Sequence, residues 1–177
     1  SARPADTEMG GIAGLYYPAI AKPVDPARVV AMRDAMAHRG PDGSGVWTAP
    51  GVGLGHRRLA IVDRDGGAQP MTNADQSLVV VLDGEIYNFR EIRAELERKG
   101  QRFVTESDTE VILHSWHTWG PAMLDRLDGA FAFALYDAAR QSLFLARDRF
   151  GVKPLHYVQL SDGAIAFASE LKGLLAH

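Results

Sequence analysis

Between residues 130 and 168 the chain alternates short apolar runs with short polar breaks, and this pattern leaves few folds open. Residues 131–136 and 142–146 flank Asp137 to Gln141, and residues 155–160 and 164–168 flank Ser161-Asp162-Gly163. Runs of strand length joined by so few residues predict two β-hairpins, and hairpin partners pair antiparallel. Earlier in the chain, residues 11–17 are short and apolar and predict a buried strand. Residues 46–47 and 52–62 predict two more strands around Pro50-Gly51. The Val/Leu run at 78–82 predicts a central strand, which Asp83-Gly84 ends at a tight turn.

Four helices punctuate this pattern. Asp25-Pro26 is an N-cap followed by proline at the first helical position. Val29, Val30, Met32, Met36 and Ala37 follow at near-helical spacing until Arg39-Gly40-Pro41-Asp42-Gly43 breaks the helix. Asn88 can cap a helix over 89–99, with Ile92 and Leu96 on one face and Gly100 as stop. Ser107 or Asp108 can cap a third over 109–119, stopped by Gly120, in which Trp116 and Trp119 read as packing residues. A last helix opens at Ser169-Glu170-Leu171-Lys172 and runs to the chain end. Helices segregated from antiparallel strands define an α+β domain. A chain of 177 residues fits one such domain without staples.

Composition excludes several classes of function. The net charge of -3 gives no basic field for nucleic acid or an anionic membrane. No apolar run approaches the ~20 residues that span a bilayer. There are no cysteines, so disulfides and thiolate metal sites are excluded, and a reducing, cytoplasmic compartment suits the chain. The histidines His56, His114, His117, His156 and His177 show no metal-ligand spacing with carboxylates. Ser1 to Glu8 lack a secretory h-region and read as a fusion remnant or leader, with Met9 as the natural start; a genuine N-terminal extension is the other reading.

Eight segments in fixed order carry more information than these bulk features. They are Met9-Gly10-Gly11-Ile12-Ala13-Gly14, His38-Arg39-Gly40-Pro41-Asp42, His56-Arg57-Arg58-Leu59-Ala60-Ile61-Val62-Asp63, Asp83-Gly84-Glu85-Ile86-Tyr87-Asn88, Ser107-Asp108-Thr109-Glu110, Leu127-Asp128-Gly129-Ala130-Phe131-Ala132-Phe133, Arg147-Asp148-Arg149-Phe150-Gly151-Val152-Lys153-Pro154-Leu155 and Ala168-Ser169-Glu170-Leu171-Lys172. From Met9 to the end, this chain resembles the N-terminal glutaminase domain of the asparagine synthetase family. The resemblance implies a four-layer αββα sandwich of two antiparallel sheets, the N-terminal-nucleophile hydrolase fold.

The resemblance also implies a chemistry. In such domains a cysteine freed at the chain terminus attacks the side-chain amide of glutamine, with its own α-amine as base. Ammonia leaves, and water then releases glutamate. Here that position is Gly10, which has no side chain, and residues before it would convert its amine to an amide. Such a glycine is either a natural loss or a deliberate replacement. The oxyanion position, asparagine in most of the family, is Asp83, followed by Gly84. An ionised aspartate only accepts hydrogen bonds and repels an oxyanion; a protonated one could donate. The substrate-holding positions match: Arg58 for the glutamine α-carboxylate, Asp108 for its α-amine, Glu85 as a further contact, and backbone at Leu59, Ile61 and Val62. His38 and the Arg147-Asp148-Arg149 segment read as structural.

Two functions from different classes follow. One is a glutamine amidotransferase domain, inactive in this form. The other is a non-catalytic domain, of the kind that supports β-lactam synthetases or lasso-peptide cyclases, or a glutamine sensor. Intact Arg58, Glu85 and Asp108 favour the first; Gly10 and Asp83 favour the second. Expected partners are glutamine and an ATP-using synthetase domain in cis or trans, with a homodimer as a further option. No cofactor is expected in this domain; ATP and magnesium would serve the synthetase domain.

Overall fold

The computed structural model describes residues 10–19, 22–59 and 67–177. Among the described residues, nine strands form two antiparallel sheets. The first contains β1 (Gly11–Tyr16), β2 (Gly43–Ala49), β3 (Val52–Arg58), β8 (His156–Gln159) and β9 (Ile165–Ala168), in the order β2-β3-β1-β9-β8. The second contains β4 (Met71–Thr72), β5 (Leu78–Ile86), β6 (Gly129–Asp137) and β7 (Ser142–Arg147), in the order β4-β5-β6-β7. Both predicted hairpins are present, as β6–β7 and β8–β9. Helices α1 (Pro26–Asp34) and α4 (Leu171–Leu175) accompany the first sheet, and α2 (Phe89–Arg98) and α3 (Asp108–Trp119) the second.

Strand side chains alternate between faces, so each sheet serves two apolar layers. In β1, Ala13 and Leu15 face α1 and α4 with Val29, Met32 and Leu174. Ile12 faces the other sheet, with Val52 and Leu54 of β3 and Val79 and Val81 of β5. Leu78, Val80, Leu82 and Ile86 of β5 face α2 and α3, against Ile92, Leu96, Val111 and Ile112. The layer order is therefore helices, sheet, sheet, helices. This is the αββα sandwich that the resemblance implies.

Two local expectations are corrected. Asp83-Gly84 does not end the fifth strand, which continues to Ile86 with Asp83 opposite Ala132 and Gly84 opposite Phe131. Gly84 holds φ +107, a left-handed value that looks like a turn in sequence but here lies inside a ladder. A Cβ there would meet the Ala130 carbonyl oxygen at 2.0 Å, so only glycine fits. Asn88 precedes α2 without capping it. Its amide instead donates to Arg126 O and accepts from Asp128 N, each at 2.9 Å, tying the α2 entry to the start of β6. The other caps form as expected: Asp25 accepts from Ala27 N, and Ser107, rather than Asp108, accepts from Thr109 N. The third strand is described to Arg58; the rest of its predicted extent, to residue 62, reaches residues outside those described.

In Arg147-Asp148-Arg149, read above as structural, Asp148 organises the turn after β7. Asp148 is buried, and its carboxylate accepts from the backbone N–H groups of Phe131, Phe150, Val152 and Lys153. Burial opposes ionisation, but these four bonds outweigh it and hold Asp148 below the usual carboxylate range. The loop they fold brings Lys153 to the edge of the site described next.

Candidate active site

The same alternation that builds the inter-sheet core builds the site. Continuing the inter-sheet positions to one end of the sandwich reaches Gly10 from Ile12, His56 and then Arg58 from Leu54, and Asp83 and then Glu85 from Val81. The core stops where apolar residues give way to this polar set. The β1–β3 register, Gly11 opposite Arg57, brings Gly10 to the Arg58 end of β3.

Asp83 is fully buried. Its Oδ2 accepts from Arg39 Nη2 and from Ser169 Oγ, each at 2.9 Å. Its Oδ1 is buried and has no hydrogen-bond partner among the described residues. Burial pushes the Asp83 carboxyl above its ordinary range, while Arg39, Ser169 and Lys153 oppose that rise. Two bonds on one oxygen, one of them from a guanidinium, favour the ionised form against that burial.

Arg39, 5% exposed, is the hub. Its Nε donates to Gly10 O at 2.6 Å, its Nη1 to Glu170 Oε1 at 3.1 Å, and its Nη2 to Asp83. Ser169 closes the ring: its N donates to Ile12 O at 2.9 Å, and its Oγ accepts from Ile12 N at 3.0 Å. His38 contacts Glu170 at 3.1 Å on the exposed side of this network and has no place beside Gly10, in keeping with a structural role.

His56 is buried, and its Nε2 lies 3.0 Å from Leu82 O, which requires an Nε2–H donor. Burial drives its pKa down to about 4, with Arg58 adding to the fall and the Leu82 bond opposing it. The imidazole is therefore neutral at pH 7. A Cβ placed on Gly10 would lie 3.3 Å from Arg57 O, 3.6 Å from Asp83 Oδ1 and 3.7 Å from His56 Nε2. A side chain at residue 10 would therefore start beside Arg57 O, Asp83 and His56.

Asp108, at the start of α3, is buried, and its Oδ2 accepts from Ile86 N at 2.9 Å. Glu110 anchors the turn that presents it, accepting from Val104 N, Thr105 N and Thr105 Oγ1. Burial, aided by the nearby Glu85 charge, raises the Asp108 pKa to about 6. A folded-state pKa above the ordinary 3.8 means that the folded protein holds this proton more tightly than the unfolded chain. The Asp108 contribution to stability therefore falls as pH rises from about 4 to about 6, by about 3 kcal/mol, against an opposite contribution from the depressed His56 over the same range. The Asp108→Asn variant should lack this decline, which paired urea melts at pH 4 and pH 7 would show.

The structure thus gathers Gly10, Arg58, Asp83, Gly84 and Glu85 at one end of the sandwich, with Asp108 bonded to the backbone of the same strand, β5. Leu59 follows β3 directly, while Ile61 and Val62 lie outside the described residues. Sequence reasoning did not assign Arg39, His56 or Ser169 to the site. Each lies inside a segment that carries the resemblance, and that was the available signal.

A sandwich of this layering, with strand β1 leading out of Gly10, defines the fold class of the N-terminal-nucleophile amidotransferases. Glutamine phosphoribosylpyrophosphate amidotransferase of Bacillus subtilis superposes on 94% of this chain and 43% of its own, with a TM-score of 0.77 at 22% identity, which establishes the fold. The chain belongs to the glutamine amidotransferase domain family, which matches residues 9–177. Asparagine synthetase [glutamine-hydrolyzing] 3 of Bacillus subtilis is 46% identical over 148 residues, covering 82% of this chain and 24% of that protein. Asparagine synthetase [glutamine-hydrolyzing] 2 of rice is 44% identical over 148 residues, covering 84% and 25%. This is a glutamine amidotransferase domain of the asparagine-synthetase type, and it spans about a quarter of the length of those relatives.

Proposed function

We propose that this domain binds glutamine without hydrolysing it, as part of an amide-forming synthetase whose ATP- and magnesium-using domain lies in cis or in trans. One observation carries the reading: the nucleophile position is Gly10, and the group facing it is the buried, ion-paired carboxylate of Asp83. Neither a thiolate nor a side-chain oxyanion donor is present where the family's chemistry would need both. The side chains to which the resemblance assigns substrate contacts, Arg58 and Asp108, are both present. Arg58 would clamp the α-carboxylate and Asp108 would pair with the α-ammonium, while the side-chain amide reaches toward Gly10.

Each of those contacts is a charge-assisted bond at a partly desolvated site, so losing one partner should cost about 1.5–3 kcal/mol, or roughly 10–100-fold in affinity. Titration calorimetry of the unaltered chain, Arg58→Ala and Asp108→Ala with glutamine tests this, with thermal melts to show that all three are folded. Equal affinity in all three would place the site elsewhere.

A second reading, a purely supporting domain, is favoured by the Asp83–Arg39–Ser169 network. That network joins β5, the segment before β2 and the end of β9, and it ties up the side chain at the oxyanion position in a structural contact. No binding at millimolar glutamine would select it.

A further inference from the structure

Asp83 leaves one oxygen unaccounted for. Its Oδ2 is saturated by Arg39 Nη2 and Ser169 Oγ, which also fix the plane of the carboxylate. Its Oδ1 is turned the other way, buried and without a partner among the described residues, 3.6 Å from where a Cβ of residue 10 would stand. A buried acceptor left unsatisfied is costly, and more so when charged.

The neighbouring atoms reinforce its polarity. Arg57 O, another acceptor, borders the same space, and the His56 Nε2 proton is already directed at Leu82 O. The two oxygens nearest residue 10 are therefore both acceptors that suit a hydrogen-bond donor, the opposite of an oxyanion hole.

Resting on the glutamine-binding reading above, we infer that Asp83 Oδ1 accepts an N–H of the ligand's side-chain carboxamide and makes this site selective for glutamine over glutamate. A carboxamide NH2 satisfies the orphan oxygen. A γ-carboxylate of the same shape offers no donor and sets a second negative charge against a buried first one. A site built around a specific hydrogen bond rejects the isostere that lacks it far more strongly than an apolar pocket can. Asp83 is thus a specificity residue in a site that performs no hydrolysis.

The test is calorimetric titration of the unaltered chain with L-glutamine, L-glutamate and L-glutamic acid γ-methyl ester. The ester is neutral at its γ position but has no N–H to donate. Glutamine should bind at least about tenfold more tightly than either of the others. Asp83→Asn is close to isosteric; its carboxamide oxygen can keep the Arg39 and Ser169 bonds and place an NH2 where Oδ1 was. In that variant the preference for glutamine over glutamate should narrow by at least about tenfold, with glutamate gaining affinity. Ester or glutamate binding as tightly as glutamine to the unaltered chain would overturn the inference without any variant. An unchanged preference in a folded Asp83→Asn protein would do the same. Failure of all three ligands to bind would remove the glutamine-binding reading itself, and the inference with it.

Discussion

A chain shortened to begin at residue 10 and carrying Gly10→Cys should hydrolyse glutamine only feebly, and adding Asp83→Asn should raise its rate about 100–1000-fold. The cysteine alone restores a nucleophile and, as chain terminus, a free amine. It also stands against an anion: Asp83 Oδ1 is 3.6 Å from the Gly10 Cβ position. That charge disfavours the thiolate and opposes the oxyanion that forms next. Asparagine at 83 removes the charge and offers an N–H to the oxyanion, worth about 2.7–4 kcal/mol of barrier in comparable sites. The added Cβ would stand 3.3 Å from Arg57 O, so that strand carbonyl must yield by a few tenths of an ångström to admit the change. Glutamate release by the two folded variants is the readout. Equal rates in the single and double variants would show that Asp83 does not oppose the chemistry.

Removing Arg39 should be the most damaging change to stability in this region. Arg39→Met leaves the fully buried Asp83 carboxylate without its guanidinium and frees Gly10 O and Glu170 as well. Breaking one side of a buried ion pair costs about 3–5 kcal/mol, because the remaining charge stays desolvated. Asp83→Asn should cost much less, since Arg39 keeps its bonds to Gly10 O and Glu170. Combining the two should recover part of the Arg39→Met loss, a coupling typical of contacting residues. Urea melts of the four proteins give the cycle. An Arg39→Met protein within about 1 kcal/mol of the unaltered chain would mean that Asp83 is neutral in the fold.

Much of this architecture was legible because it depends on short-range patterns. The hairpins at 131–146 and 155–168 follow from apolar runs with few residues between them, and the caps at Asp25 and Ser107 from local side-chain chemistry. Asp83-Gly84 was misread as a turn for a reason internal to the signal. A glycine with positive φ looks the same in sequence whether the chain reverses there or continues in a ladder against Ala130, whose carbonyl tolerates no Cβ. Asn88 was misread because the partners that claim its amide, Arg126 and Asp128, lie about 40 residues away.

The site divides along the same line. Gly10 and Asp83 stand out in sequence as departures from a pattern, and the structure sets them face to face. The roles of Arg39 and Ser169 were not legible, because they exist only when segments 44 and 86 residues from Asp83 meet at one carboxylate oxygen. The polarity of the free oxygen was likewise invisible until its sibling was seen to be saturated.

The central claim is binding without turnover, and one calorimetric titration of the unaltered chain with glutamine addresses both halves. The expected result is a saturable isotherm whose heat returns to baseline after each injection, with no glutamate in the cell at the end. A heat that persists after each injection, with glutamate accumulating in proportion, would contradict it.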